Sequence, residues 1–159
     1  MYKKILVPLD GSELAECVLP HVESIARGCN IGSVAFIRVA EPVSLPISSE
    51  YDGYTFSAGD WQRMEDESRA AAQSYLTGLM SRVKYDGINI TAEVLTGGRA
   101  ADMIADYAAK NGVDLITIAT HGRSGISRWV WGSVADRVLR SSPMPVLMVR
   151  APGCVPGGI

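Results

Sequence analysis

The sequence predicts an α/β fold, a single open five-stranded parallel sheet with helices on both faces. Five short apolar runs alternate along the chain with segments of helical period, which is typical of parallel sheets covered by helices. The run from Leu115 to Ala119 is nearly all apolar, as in a central strand buried on both faces. The run from Ile88 to Val94 alternates apolar with polar residues, which indicates a strand at the wetter edge of the sheet.

The amino-terminal segment predicts a strand followed by a helix. Residues 4–7 are an apolar run that Pro8 ends, and Ser12 is placed to cap a helix with acidic residues in its first turn. Apolar residues then recur at helical spacing to about Ala26. Pro20 removes one backbone hydrogen bond inside this helix. Because the apolar spacing continues past it, we expect a kink and not a break.

The middle of the chain predicts a second strand, a long loop and a long helix. Residues 34–39 are the second apolar run. Residues 41–59 are polar, contain two prolines and two glycines and show no usable period. We therefore expect a loop there, of a length often found in lids and mobile segments. From Trp61 to Val83, a stripe of residues steps by three and four, which indicates a helix with one face in the core.

The carboxyl-terminal part predicts two more helices and the last strand. Residues 100–108 have helical period, and the apolar central strand follows them. A short helix is expected from Ser133 to Ser141, where Pro143 stops it. Residues 146–149 then form the fifth strand.

Length and composition indicate one globular domain. The chain has 159 residues, of which 47% are hydrophobic and 20% charged, so we expect a domain over residues 1–150 and a flexible tail over residues 151–159. A net charge of −2 argues against nucleic-acid binding. The apolar run before Pro8 is too short for a signal peptide and no apolar stretch reaches membrane-spanning length, so we expect a cytosolic protein without a membrane partner. The cysteines lack the CxxC spacing of zinc sites.

The predicted topology places two distant segments side by side. With the first and fourth strands central and the third at an edge, right-handed crossovers give the strand order 3-2-1-4-5. Ligands of open α/β sheets bind beyond the carboxyl ends of the strands where the winding reverses, here between strands one and four. Residues 8–12 leave strand one and residues 119–122 leave strand four. We therefore expect a pocket between these two segments.

The segment after strand four has the chemistry of an anion site. Gly122 and Gly125 let backbone N–H groups approach phosphate oxygens without a Cβ in the way. Gly132 and Ser133 begin a helix whose free amides and dipole favour negative charge, and the serine hydroxyl adds a donor. Asp10 would repel phosphate, whereas its carboxylate suits ribose hydroxyls or an adenine amine at the other end of the pocket. A nucleotide satisfies both ends.

The familiar nucleotide motifs do not match, because the chain has no GxxxxGK[ST] sequence and no GxGxxG after its first strand. The sequence instead resembles the universal stress protein family over nearly the whole chain, from residues 3–12 to residues 145–149. The nucleotide-binding branch of that family carries a glycine, two residues, a second glycine, nine residues, then a glycine and a small hydroxyl residue. Gly122 and the pair Gly132-Ser133 match this pattern, whereas Ala119 stands at the first glycine.

The resemblance implies an adenine nucleotide alpha hydrolase-like fold and a nucleotide-dependent module of stress response or signalling. It implies binding of ATP, or of AMP or ADP, with Mg²⁺ or Mn²⁺ on the phosphates. Adenine would lie near Asp10 and the backbone of Val39, and the ribose and phosphates near residues 119–122 and 132–134. The methyl group of Ala119 is tolerable where its φ is negative, and costly where φ is positive or the ribose packs on its Cα. The expected cofactor-binding residues are Pro8, Leu9, Asp10, Val39, Ala119, His121, Gly122, Gly125, Gly132, Ser133 and Val134.

The resemblance also implies an assembly. The family commonly forms homodimers through the last strand, which here is the apolar run from Val146 to Val149. An exposed apolar strand edge otherwise invites aggregation, so a partner at this edge fits the sequence. Pro143 and Pro145 limit how much of the edge can pair.

Two other functions stay open at this stage. A slow ATPase would use His121 or Asp10 to order the attacking water. The sequence supplies neither paired metal carboxylates nor a positioned lysine for fast phosphoryl transfer, so we name no catalytic residue and no metal ligand. A nucleotide-independent interaction protein would use residues 41–59 and the dimer surface. In that case Gly122 and Gly125 only shape a surface loop, and Asp10 is a turn residue.

Overall fold

Five parallel strands form one sheet in the order β3-β2-β1-β4-β5, which confirms the predicted fold class and topology. The structure is a computed structural model that describes residues 2–42, 57–121 and 132–151. The strands are β1 (Lys4–Pro8), β2 (Ser33–Ala40), β3 (Asn89–Thr96), β4 (Leu115–His121) and β5 (Val146–Ala151). The last strand therefore includes Ala151, where the sequence predicted the beginning of the tail.

Five helices cover the two faces of the sheet. They are α1 (Glu13–Glu16), α2 (Leu19–Gly28), α3 (Ala58–Arg82), α4 (Ala100–Lys110) and α5 (Ser133–Ser141). Helices α1 to α3 enclose one apolar core against the sheet, with Val22, Phe36 and Leu76 at its centre. Helices α4 and α5 enclose a second core on the opposite face, around Ile104 and Val138. Right-handed crossovers before and after the reversal between β1 and β4 place the two helix layers in this way.

The helix predicted to run from Ser12 with a kink at Pro20 is in fact two helices, so that prediction was wrong. Helix α1 ends at Glu16, and α2 begins at Leu19 with Pro20 in its first turn. A backbone N–H in the first turn has no partner within the helix, so proline loses nothing there. The apolar spacing continues across the break because both helices pack on the same core.

The predicted loop over residues 41–59 is shorter at its carboxyl end. Ser57 and Asp60 form a reciprocal capping box, in which the Ser57 hydroxyl accepts from the Asp60 N–H at 3.2 Å and Asp60 Oδ2 accepts from the Ser57 N–H at 3.0 Å. This cap starts α3 at Ala58, three residues before the predicted start. Residues 43–56 lie outside the described residues.

Burial along the strands agrees with the predicted edge and centre. In β3, Ile90, Ala92 and Val94 are half-buried against the core of α1 to α3, whereas Thr91 and Glu93 are exposed. In β4, all four residues from 115 to 118 are buried.

Among the helices of the described residues, none combines the length and the apolar character that crossing a bilayer requires.

Candidate functional site

A cavity of about 270 Å³ opens at the carboxyl ends of β1 and β4, where the winding of the sheet reverses. Its walls come from both central strands, from β2 and from three helices, and most of the side chains are apolar. The lining residues are Pro8, Leu9, Asp10, Ala15, Ile37, Val39, Ala100, Ile104, Ile118, Ala119, Gly132, Ser133, Val134 and Ala135. Two segments that are more than 100 residues apart in sequence thus meet in one pocket.

Eight of the eleven residues expected from the sequence line this cavity: Pro8, Leu9, Asp10, Val39, Ala119, Gly132, Ser133 and Val134. His121 is the last residue of β4, and its side chain lies outside the part of the chain that the structure describes. Gly122 and Gly125 lie outside the described residues. The topological argument therefore placed the pocket between the correct strands, while the role of each residue toward a ligand stays a prediction.

Sequence reasoning missed six lining residues, all of them apolar: Ala15, Ile37, Ala100, Ile104, Ile118 and Ala135. Of these, Ile37 had a usable signal. Ile37 lies two positions before Val39 in a strand, so both side chains point to the same face of the sheet. Ala100 and Ile104 had none, because nothing local in α4 indicates which part of its buried face borders a cavity.

One carboxylate oxygen of Asp10 is held in place by the turn that follows β1. Asp10 Oδ1 accepts hydrogen bonds from the Ser12 backbone N–H at 2.8 Å and from the Ser12 hydroxyl at 2.6 Å. The Ser12 hydroxyl in turn accepts from the Ala15 N–H and caps α1. Asp10 is exposed, and its Oδ2 makes no hydrogen bond with the described residues. The carboxylate is thereby oriented with one oxygen free to accept from a ligand.

The amino terminus of α5 supplies donors on another wall of the cavity. Gly132 is the N-cap residue, and glycine has no side chain with which to cap the helix. The N–H groups of Ser133, Val134 and Ala135 have no hydrogen-bond partner among the described residues, and all three residues line the cavity. An uncapped helix start with a positive dipole end favours an anion.

A second helix start at the cavity is already occupied by a carboxylate. Glu41 follows β2, and its Oε1 accepts a hydrogen bond of 2.8 Å from the N–H of Ala100, the first residue of α4. Arg99, the N-cap residue, makes no capping bond with its own side chain. Glu41 thus caps α4 from 59 positions away in sequence. Among the described residues, the cavity is therefore lined by one carboxylate, that of Asp10, and by the starts of two helices, of which Glu41 caps that of α4.

The substitution at Ala119 is compatible with the backbone of the site. Ala119 lies within β4, pairs with Val149 of β5 and does not have a positive φ. A methyl group at this position requires a negative φ, and the strand backbone of Ala119 meets that requirement.

The residues in the described ranges include no group of three or more His, Cys, Asp or Glu side chains that could hold a metal ion.

Comparison with known proteins identifies relatives over most of the chain. A sequence model described as the universal stress protein family matches residues 1–150. Universal stress protein MJ0531 of Methanocaldococcus jannaschii is 29% identical over 154 residues, which cover 96% of this chain and 84% of that protein. Universal stress protein G of Shigella flexneri is 30% identical over 152 residues, which cover 94% of this chain and all of that protein.

Solved structures share the fold. Protein MJ0577 of Methanocaldococcus jannaschii has a TM-score of 0.67 at 26% identity, and the match covers 96% of this chain and 99% of that one. A universal stress protein in complex with cAMP has a TM-score of 0.55 at 21% identity over 94% of this chain and 97% of its own. An Arabidopsis thaliana family member with AMP bound has a TM-score of 0.55 at 16% identity over 93% and 91%. The last two likenesses concern the fold alone.

Proposed function

Because the chain belongs to the universal stress protein family, we propose that it binds ATP and acts in the cytosol as a nucleotide-dependent module of stress response or signalling. A single observation carries this proposal. One cavity combines an apolar slot, an oriented carboxylate and an uncapped helix start. The slot suits a base, the carboxylate suits the polar edge of the base or the ribose, and the helix start suits a phosphate chain.

The base end of the proposed site is apolar with one acceptor. Ile37, Val39 and Ile104 offer flat aliphatic surface for a purine ring. The free Oδ2 of Asp10 accepts from the adenine amine or from a ribose hydroxyl, because Ser12 holds the other oxygen. An oriented acceptor of this kind favours ligands that present a donor, since an unmatched partner leaves the ligand group or the carboxylate without a hydrogen bond.

The phosphate end of the proposed site lies at the start of α5. The Ser133 and Val134 amides and the Ser133 hydroxyl would donate to phosphate oxygens, and Gly122 and Gly125 are predicted to add backbone donors. We propose that Mg²⁺ or Mn²⁺ accompanies the triphosphate and is held mainly by the phosphates. Structures of two proteins with this fold contain AMP and cAMP, which supports the choice of an adenine nucleotide.

Titration calorimetry of the purified protein with ATP and magnesium tests the proposal. Absence of binding heat at about a hundred micromolar protein would contradict the proposal that the protein binds ATP. Thermal unfolding gives a second reading, because ligand at a hundred times its dissociation constant stabilises the fold by about 2.7 kcal/mol. A nucleotide released from freshly purified, denatured protein and identified by its mass would name the ligand directly.

A charge variant at the helix start separates phosphate binding from stability. Ser133→Asp places a carboxylate at the first residue of α5, where it favours the helix dipole but repels phosphate. We expect ATP binding to weaken at least tenfold while the melting temperature stays the same or rises. Ser24→Asp introduces the same charge at an exposed position of α2 and serves as the control. Equal ATP affinity in both variants would contradict a phosphate site at α5.

We further propose that the chain forms a homodimer through β5. This strand pairs with β4 on one side, and among the described residues no strand pairs with its other side. Val146, Leu147 and Met148 are each half-buried, so the free edge is apolar as well as unpaired. Sedimentation at micromolar concentration should give twice the chain mass, and Met148→Lys should shift it toward the monomer. A monomer in the parent protein would contradict the proposal.

A further inference from the structure

Thr120 connects the end of β4 to the start of α5. It is only 3% exposed, and its Oγ1 accepts a hydrogen bond of 3.3 Å from the backbone N–H of Gly132, twelve positions later in the sequence. Thr120 lies between Ala119, which lines the cavity, and His121, the last residue of the strand. Thr120 itself does not line the cavity.

This hydrogen bond determines which amides of α5 remain for a ligand. Gly132 is the N-cap residue, so its N–H is the first donor at the helix start and Thr120 satisfies it. The next three N–H groups, of Ser133, Val134 and Ala135, stay without a partner among the described residues and border the cavity. A helix start can only bind an anion well if its position relative to the rest of the site is set before the ligand arrives.

We propose that Thr120 is a positioning residue for the phosphate end of the site, which holds the Gly132 amide and so aims the first turn of α5 into the cavity. The proposal rests on the proposed nucleotide function. The packing around the side chain favours this role, since a nearly buried hydroxyl on a rigid central strand defines the position of its partner far better than a solvent-exposed one.

The same strand provides a matched control. Thr117 is fully buried, and its hydroxyl has no hydrogen-bond partner among the described residues. Its neighbours Ile116 and Ile118 pack in the core of α4 and α5, so Thr117 points to the other face of the sheet. A threonine-to-valine change at position 117 therefore removes a hydroxyl from β4 without touching α5.

Binding of ATP and of adenosine is compared in four proteins: the parent, Thr120→Val, Thr120→Ser and Thr117→Val. Adenosine lacks the phosphates, so a residue that only positions the phosphate end should not affect it. We expect Thr120→Val to weaken ATP binding three- to tenfold and adenosine binding less than twofold. Thr120→Ser keeps the hydroxyl and should restore ATP affinity to within twofold of the parent, and Thr117→Val should leave both ligands unaffected.

The possible outcomes separate this role from a merely structural one. Unchanged ATP affinity in Thr120→Val, or an equal loss for ATP and adenosine, would overturn the positioning role while the proposed function stands. A parent protein that binds neither ligand overturns both. Amide hydrogen exchange tests the hydrogen bond from Gly132 to Thr120 directly in the unliganded parent protein. The Gly132 N–H should exchange slowly. Exchange there at the rate of a free peptide would contradict the hydrogen bond.

Discussion

Arg82 holds Glu16 with both ends of its guanidinium. Its Nη1 lies 3.1 Å from Oε2 and its Nη2 lies 2.9 Å from Oε1, so the pair is bidentate and joins α3 to α1 across 66 positions of sequence. The Glu16 side chain is 20% exposed, whereas that of Arg82 is 57% exposed. Hydrogen bonding by Arg82 is the main reason why the pKa of Glu16 lies below its ordinary value, and it outweighs the opposing effect of burial.

This pair predicts a pH-dependent contribution to stability. A carboxyl group whose pKa is lowered by folding stabilises the protein above its unfolded pKa, and the contribution is lost as the pH falls through its folded pKa. We expect Glu16→Gln to lower the free energy of unfolding by about 1 kcal/mol or less at pH 7. As the pH falls below the ordinary pKa of a glutamate, about 4.3, and through the lowered pKa of Glu16, the difference should shrink toward zero.

Urea unfolding at pH 7 and at pH 3 measures the difference in unfolding free energy between the parent and Glu16→Gln at each pH. Glu13→Gln is the control, since Glu13 lies in the same first turn of α1 but is exposed and forms no ion pair with the described residues. A loss of stability in Glu16→Gln that does not depend on pH would show that the side chain acts through packing alone.

The orientation of Asp10 predicts the base preference of the proposed site. Asn at this position can still accept from the Ser12 N–H through its Oδ1, and then presents an amide donor where the parent presents a carboxylate oxygen. Adenine offers an amine donor and guanine a carbonyl acceptor at the equivalent ring position. We expect Asp10→Asn to reduce the preference for ATP over GTP about tenfold, as measured from the two dissociation constants. Equal weakening for both nucleotides would instead place the carboxylate on the ribose.

The turn after β1 predicts a strong effect of a methyl group at Gly11. Gly11 has a φ of +90°, and a Cβ there would lie 2.7 Å from Nη1 of Arg38. The Arg38 guanidinium is held over the Tyr75 ring, 5.1 Å from its centroid. We expect Gly11→Ala to lower the free energy of unfolding by about 1–2 kcal/mol. Because the backbone strain remains when the arginine is removed, Arg38→Met should restore only part of this loss.

Gly78→Ala is the matched opposite case. Gly78 lies within α3, four residues before its end, is exposed, lacks a positive φ and would place its Cβ in open space. Alanine there should raise the free energy of unfolding by about 0.5–1 kcal/mol, because glycine loses more conformational freedom in a helix. Thermal unfolding of both variants should therefore give shifts of opposite sign. A stabilising Gly11→Ala would contradict the left-handed turn.

The cap that Glu41 provides to α4 predicts a stability effect from a distant residue. Glu41→Ala leaves the Ala100 N–H without its partner at 2.8 Å, and we expect a loss of about 0.5–2 kcal/mol, as for other helix caps. Glu41→Gln keeps an acceptor without the charge and should lose less. Glu67→Ala removes an exposed carboxylate from α3 and should change the stability little. Urea unfolding compares the three, and equal losses for Glu41→Ala and Glu67→Ala would contradict the cap.

The fold of this chain could be predicted from its sequence because the pattern of apolar and polar residues within each strand and helix shows which of its faces are buried. An apolar run such as residues 115–118 and the alternation in β3 each report how many faces of a strand are covered. The handedness of crossovers then fixed the strand order, and the order placed Asp10 and Gly132 at one pocket. Pro20 shows the limit of such reasoning, because the apolar spacing is the same for one kinked helix and for two helices on one core.

The sequence by itself determined the five strands, the layers and the reversal between β1 and β4, since hydrophobic period and chain chirality act over short distances. Only the tertiary structure decided which helix faces close the cavity and which side chains hold its walls. Ala100 and Ile104 line it because the crossover carries α4 to the same face as α5. The bonds from Glu41 to α4 and from Thr120 to α5 join residues 59 and 12 positions apart, and no local pattern encodes a contact that exists only after the sheet has assembled.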